Sequence, residues 1–382
     1  MKKHLLVLGI LVFSILILSG CEEQTNNNDD NDNNSVDEEV DYGFPHIACY
    51  VRNQEDLLNV QDANFDIIYS SDIDSSAASV IKQRNSETII LYQSPASYMF
   101  DSAVDVIETT TGMQITDDFW LKDSSDQRCG YGWTPEIWAI DLSNPENIEI
   151  MASFFSSILE TQTHYDGLFF DIIEEVSRCD VLNDSEWSNY NSDLLEAIRE
   201  KIGEKIIITN SGYNYSSDAP FLKHINGYAM ESFLSGGAVY NVGLDAIDTV
   251  LEKTLEPHYL IFSVYSENTA TKEDIGDDKF RLALTLSMMY DNTYLAYHQS
   301  LAEVATILWE DEFSVDLGRP LSTIYELGNS YVREFEKGVV ISSPYASFTY
   351  IFDDEFLDVS TGKVTNTISV DRNDGKILLY NS

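Results

Sequence analysis

The sequence predicts an α/β protein: a (β/α)8 TIM barrel followed by a small C-terminal antiparallel β domain. Three observations carry that expectation. Short runs of β-branched and aromatic residues recur eight times between residues 46 and 299, most of them continuously apolar, as parallel strands covered on both faces are. Helical patterns lie between the runs, which is the alternation a (β/α)8 barrel requires. After about residue 328 those patterns give way to β-type segments broken by turn residues.

At the N-terminus, Met1-Lys2-Lys3 is followed by an apolar run from Leu5 to Leu18 and then by Leu18-Ser19-Gly20-Cys21. A charged start, an apolar stretch and small residues before a cut form a secretory signal, and the run is short for a membrane span. Leu-Ser-Gly-Cys resembles the lipobox of bacterial-type lipoproteins. Residues 1–21 are therefore expected to be a lipoprotein signal peptide, with Cys21 carrying lipid on the outer face of the cell membrane; a plain signal peptide or an uncleaved anchor is the alternative. Residues 22–42 are polar, acidic and without periodicity, which predicts a flexible tether.

The barrel is expected over residues 43–328. Its strands are read at 46–51, 66–70, 88–94, 167–173, 205–212, 227–232, 258–266 and 293–299. Helices are read at 53–62, 75–84, 145–162, 187–201, 244–254 and 277–290. Asn144-Pro145 places an N-cap residue before a proline at the first helical position. A long insertion, 95–144, follows the third strand and holds one extra strand at 137–143. An open doubly wound sheet is the rival, but Tyr50-Val51-Arg52-Asn53 lacks the Gly-rich first turn of that fold. Residues 329–382 form the β domain, too small for assured independent stability and so expected to pack on the barrel.

The chain has 382 residues, 43% of them hydrophobic, and a formal net charge of −43 from 22 basic and 65 acidic residues. That balance excludes nucleic-acid binding through a basic surface and disfavours docking on anionic lipid, leaving a lipid anchor as the expected membrane contact. A strongly acidic surface is solvated and self-repelling, and a neutral glycan is the least conflicted partner. The protein is expected to be a monomer. Its six histidines are scattered, and no HExxH, CxxC, Walker or GxGxxG pattern occurs, so no metal and no organic cofactor is expected. Export permits a disulfide. Cys49 sits in an apolar run and reads as a buried thiol, whereas Cys129 and Cys179 lie in polar, loop-like surroundings and are expected to bond to each other.

A barrel forms its active site at the C-terminal ends of its strands. The polar residues at those exits include Arg52, Gln93, Asp171, Asn210, Glu231, Tyr265 and His298. Asp171 ends Gly-Leu-Phe-Phe-Asp and Glu231 ends Gly-Tyr-Ala-Met-Glu, so each acid stands where the preceding residues demand burial. The two lie two βα units apart, which lets them converge across the mouth at roughly 5–10 Å, the span of glycosidase carboxylate pairs. The plain alternative is that they cap helices or pair with Arg52 or Arg128. Arg52 is expected to contact substrate or hold one acid ionised, and Asn210, Tyr265 and His298 to orient sugar hydroxyls. Glu174 is read as a loop or helix-start acid and, alternatively, as a substrate contact. Trp120, Tyr131, Trp133 and Trp138 in the insertion either stack on sugar rings, with Trp120 and Trp133 the candidates, or form the insertion's own core, to which Trp138 is assigned.

The segments IWAIDLSNPENIEIMASFF (137–155), HYDGLFFDII (164–173) and DLGRPLSTIYELGNSYVREFEKGVVISSP (316–344), with a glutamate on strand six, resemble families of extracellular (β/α)8 glycoside hydrolases related to the endo-α-1,4-polygalactosaminidase-like group. The resemblance spans roughly residues 44–382. Its more specific features are Asp166-Gly167-x-x-x-Asp171 and Arg333-x-Phe335-x-x-Gly338. It implies a catalytic carboxylate on strand four and another on strand six, Asp171 and Glu231. Asp171 is read as nucleophile or base and Glu231 as general acid or acid/base, with its pKa expected to be raised by strand-six burial and by Asp171 opposite. The function expected is a surface-tethered glycoside hydrolase acting on a polysaccharide or oligosaccharide. A non-catalytic glycan-binding lipoprotein on the same scaffold is the alternative.

Overall fold

A computed structural model describes residues 43–59, 63–132, 136–210, 217–234, 240–268, 273–274, 276–298 and 310–381. The signal-peptide and tether expectations, with Cys21, and the Trp133 expectation lie outside these residues. Eight parallel strands close into a barrel: β1 (Ile47–Tyr50), β2 (Ile67–Ser70), β3 (Ile89–Pro95), β4 (Gly167–Asp171), β5 (Ile206–Asn210), β6 (Gly227–Met230), β7 (Tyr259–Tyr265) and β8 (Thr293–His298). All eight coincide with apolar runs read from the sequence. β8 pairs back on β1 through Ile47 opposite Leu295 and Ala48 opposite Ala296.

Side chains alternate in and out along each strand. Ala48, Ile67, Leu91, Phe169, Ile208, Ala229, Ile261 and Ala296 face inward and pack as one cluster filling the barrel. Their neighbours, such as Ile68, Ile90, Leu168, Phe170, Ile207 and Phe262, face outward into the larger core under the helices. That double burial is why the strands read as unbroken apolar runs.

The four even-numbered strands open alike. Each is preceded by Asp or Asn whose side chain bonds the backbone in, or directly before, the odd strand that precedes it. Asp66 accepts from Ile47 N at 2.6 Å, Asp166 from Ile90 N at 2.9 Å and Asn226 from Ile207 N at 3.0 Å, while Asn292 donates to His258 O at 3.2 Å. In β4 and β6 a glycine follows. A Cβ on Gly167 would sit 2.1 Å from Ile206 O, and one on Gly227 would sit 2.2 Å from Tyr259 O, so no larger residue fits.

The helices are α1 (Gln54–Asn59), α2 (Ser75–Arg84), α3 (Val104–Thr111), α4 (Pro145–Thr161), α5 (Asp184–Ile202), α6 (Tyr240–Lys253) and α7 (Asp277–Ser287). Asn144 caps α4 by accepting from Glu146 N, with Pro145 at the first position. Asn183 and Glu186 form a capping box that starts α5 three residues before the apolar periodicity does. In the insertion, Tyr98–Phe100 pairs antiparallel with Ile137–Ala139, and the segment folds around Phe119, Trp120 and Ile140.

The C-terminal sheet holds β9 (Tyr325–Leu327), β10 (Ser330–Phe335), β11 (Gly338–Ser343), β12 (Phe348–Asp358), β13 (Lys363–Val370) and β14 (Asp374–Tyr380), in the order β9-β10-β11-β14-β12-β13. One face buries Val332, Ile341, Tyr350, Phe356 and Ile368 among themselves. The other joins the barrel's outer core through Phe335, Val340 and Ile377. Helix α7 lies so close to β14 that a Cβ on Gly375 would sit 2.1 Å from Thr285 Oγ1. Arg333 is buried; it donates to Met288 O at 3.0 Å, pairs with Asp291, and packs its guanidinium 5.3 Å from the Phe44 ring. A Cβ on Gly338 would meet Leu378 O at 2.1 Å. The Arg-x-Phe-x-x-Gly motif therefore docks the sheet onto the barrel.

Replacing the fully buried Phe335 with Ala is expected to cost about 3–5 kcal/mol, read as a lowered urea midpoint. A midpoint equal to wild type would mean the sheet is not part of the barrel's core.

Candidate active site

Two residues beyond the inward cluster, at the C-terminal mouth, the inward positions turn polar. β3 continues from Leu91 to Gln93, β4 from Phe169 to Asp171, β5 from Ile208 to Asn210, and β7 from Ile261 to Ser263 and Tyr265. β6 leads from Ala229 to Glu231, and β8 from Ala296 to His298. These residues, with Tyr50, Tyr69 and Phe169, line a cavity of about 120 Å³. Tyr69 lies flat on Phe169, centroids 4.1 Å apart and planes within 10°, making one wall broad and rigid. The facing inward positions of β6 and β8 are Ala229 and Ala296, which leaves space beneath Glu231 and His298.

Asn210 joins the acids. Its Nδ2 donates to Asp171 Oδ1 at 3.0 Å and to Glu231 Oε2 at 3.2 Å. Both carboxylates therefore reach one nitrogen. Asp171 Oδ1 also accepts from Ile172 N at 3.0 Å, and Glu231 Oε1 from the Tyr265 hydroxyl at 3.2 Å. Both strand exits are conformationally unusual. Ile172, directly after Asp171, has φ 58°, and Ser232, directly after Glu231, has φ 54°. A β-branched residue in the left-handed region costs on the order of 1–3 kcal/mol and persists where the surroundings enforce it, often at functional sites.

Burial, reinforced by the charge of Glu231, raises the Asp171 carboxyl to about 6. Burial lowers His298 to about 4, so its imidazole is neutral over the physiological range. Burial and Glu231 hold the Tyr265 phenol well above its usual value.

Several expected site residues stand elsewhere. Arg52 is exposed, does not line the cavity, and among the described residues no ion pair joins it to either acid. Trp120 is 4% exposed, edge-on to Phe119 at 5.0 Å and beneath the Arg128 guanidinium at 4.6 Å, so it belongs to the insertion's core. Glu174 is 5% exposed and does not line the cavity; Arg178 grips it through bonds of 2.6 Å from both Nε and Nη2. Cys129 and Cys179 form a disulfide with Cα atoms 5.6 Å apart, and Cys49 is a buried free thiol. Conversely, Tyr50, Tyr69, Phe169 and Ser263 line the cavity although none was singled out as a site residue. Counting inward positions two by two from the apolar cluster would have found them.

A wider cavity of about 870 Å³ opens at the opposite, N-terminal end beside Arg199, Asn226 and His258. Its polar groups are occupied with backbone: Arg199 donates to His224 O and Lys205 O, and Asn226 to Leu255 O and Glu256 O. That end of a barrel serves stability. Among the described residues, no group of three or more His, Cys, Asp or Glu is placed to hold a metal ion.

The model of a family described as hypothetical glycosyl hydrolase family 15 matches residues 82–339. Solved structures with the same fold include an α-amylase from Malbranchea cinnamomea, at 10% identity, TM-score 0.52, covering 88% of this chain and 96% of that one. A maltogenic α-amylase, AmyB, from Thermotoga neapolitana gives 10% identity, TM-score 0.52 and coverage of 88% and 97%. Eubacterium rectale Amy13B gives 10% identity, TM-score 0.53 and coverage of 89% and 97%. Identities this low show a shared fold alone. No curated protein sequence matches the chain.

The raised acid makes a stability prediction. Unfolded, Asp171 titrates near about 3.9; folded, it titrates at about 6. Above both values the carboxyl is charged in either state, and the folded state bears the full cost. As pH falls from 6 to below 4, the folded protein takes up its proton first and the cost disappears. Asp171→Asn is therefore expected to stabilise the protein at pH 7 by up to about 3 kcal/mol and to make little difference near pH 4. Urea unfolding at the two pH values checks this; equal effects at both would show that Asp171 is not destabilised by burial.

Proposed function

The chain belongs to hypothetical glycosyl hydrolase family 15, and from that premise we propose that it hydrolyses glycosidic bonds of a polysaccharide with Asp171 and Glu231. The observation that supports this most directly is the single Asn210 amide nitrogen bonded to both carboxylates. Two oxygens bonded to one nitrogen at these lengths lie at most about 6.2 Å apart. Retaining glycosidases hold their carboxyl groups about 5–5.5 Å apart, and inverting ones about 6.5–9.5 Å. The reading is therefore a retaining, two-step hydrolysis.

Asp171, the acid raised toward neutrality, donates its proton to the leaving glycosidic oxygen. Glu231, held by Asn210 and the Tyr265 hydroxyl, attacks the anomeric carbon through its carboxylate and forms the glycosyl ester. Asp171, now a carboxylate, takes a proton from water as that water attacks the same carbon; Glu231 leaves, and both groups return to their starting forms. The neutral His298 and Gln93 offer hydrogen bonds to sugar hydroxyls, and the Tyr69–Phe169 wall offers an apolar face. The protein acts outside the cell, tethered through lipid on Cys21. A Cys21→Ser variant that fractionates with membranes at mature size, as wild type does, would overturn the tether.

A polysaccharide screen followed by proton NMR of the first product is the test. Asp171→Asn and Glu231→Gln should each lower turnover about 10²–10⁴-fold. Azide should restore activity on activated aryl glycosides in Asp171→Ala, giving an azide adduct of retained anomeric configuration. Activity should decline as pH rises through about 6, where Asp171 loses its proton. Binding without cleavage would replace the enzyme with a glycan-binding protein. An inverted first product would exclude the two-step route.

A further inference from the structure

Glu174 lies three residues past Asp171, buried and outside the cavity. Its carboxylate accepts from Arg178 Nε and Nη2, each at 2.6 Å, and from the Tyr131 hydroxyl at 3.3 Å. The Arg178 guanidinium lies 4.5 Å from the centre of the Tyr131 ring. Tyr131 follows Cys129 by two residues and Arg178 directly precedes Cys179, so the disulfide locks together the two segments that supply these partners. The backbone between the two acids is fixed as well. Ser97 Oγ donates to Ile172 O at 3.3 Å, Ile173 N to Asn210 O at 3.1 Å, and Asn191 Nδ2 to Glu174 O at 3.1 Å. Within this frame Ile172 keeps its left-handed backbone, which an isoleucine does not adopt unaided.

We propose that Glu174 is a positioning residue: its ion pair with Arg178, seated by Tyr131 and the Cys129–Cys179 disulfide, holds the left-handed turn at Ile172 and so fixes where Asp171 stands relative to Glu231. Export makes the disulfide available, and reducing it releases one side of the frame. The inference rests on the proposed hydrolysis for its kinetic consequence alone; its geometric content can be tested without catalysis.

The double variant Cys129→Ser/Cys179→Ser changes no charge near Asp171. The titratable and charged groups around that carboxyl are Glu231, Tyr265 and His298 in the same cavity, Tyr50, Tyr69 and Tyr131, and Glu174 with its partner Arg178, and all are retained. A change in the Asp171 titration therefore reports geometry. Carbon-13 NMR of the Asp171 carboxyl is expected to show its midpoint falling below that of wild type, as the acid moves away from Glu231 and toward water. On a cleaved glycan, kcat is expected to fall about 10–100-fold with KM within about twofold. Arg178→Lys keeps the charge and loses the two-pronged grip, and it is expected to act in the same direction even if the double variant does not fold. A lowered melting temperature with an unchanged Asp171 titration and unchanged kcat would overturn the proposal. A raised KM at constant kcat would do the same, by making Glu174 a substrate contact. If wild type cleaves no glycan while the titration still shifts in both variants, the hydrolase reading falls and the positioning role stands.

Discussion

Closure of the parallel barrel is the constraint on which the rest depends. Eight strands that bond to one another in a ring leave an interior only side chains can fill, and the two-residue alternation decides which ones. Below the mouth every inward position must be apolar and of the right size, as Phe169, Ile208 and Ala229 are. At the mouth the demand for filling ends. The next inward positions, Asp171, Asn210 and Glu231, are free to carry chemistry because they sit at the last layer before solvent. The acids converge because the same alternation that buries Phe169 and Ala229 points Asp171 and Glu231 to the barrel axis.

That convergence sets two like charges close together, which opposes their ionisation. The site absorbs the conflict in two ways. Asp171 shifts toward neutrality, and each ionised oxygen finds a donor: Asn210 for both acids, Ile172 N for Asp171 and the Tyr265 hydroxyl for Glu231. The left-handed residues after both acids belong to the same arrangement, since each turns the chain sharply once the carboxylate is in place. A buried carboxyl raised in this way lowers stability above its titration point and holds a proton nearer neutral pH than a solvated one does.

The motifs that looked functional divide in two. In Asp166-Gly167-x-x-x-Asp171, Asp166 and Gly167 are structural: the first ties β4 to Ile90 N, and the second lets β4 and β5 approach. Asn226-Gly227 does the same for β6, so both acid-bearing strands share one design. Arg333-x-Phe335-x-x-Gly338 is structural throughout and joins the sheet to the barrel beside Met288 and Asp291. The C-terminal domain is thus continuous with the barrel's outer core.

The sequence by itself determined the strand set and the order of the elements, because burial on both faces leaves unbroken apolar runs, and it marked Asp171 and Glu231 as acids that end such runs. It also marked Cys129 and Cys179 by their polar setting. It could not decide where Glu174, Trp120 and Arg52 point, since exposure in a loop depends on what packs against it from distant segments. Arg178 and Tyr131 bury Glu174, Phe119 and Arg128 enclose Trp120, and Arg52 stays in solvent. Nor could it tell how far Asp171 is raised, because that depends on how deeply its carboxyl sits and how near Glu231 comes. Asn210 read as one polar exit among several. Only folding brings its single amide between Asp171 and Glu231, because the three residues stand at the exits of adjacent strands: the register pairs Phe170 with Thr209 and Asn210 with Ala229, and Glu231 follows two residues beyond.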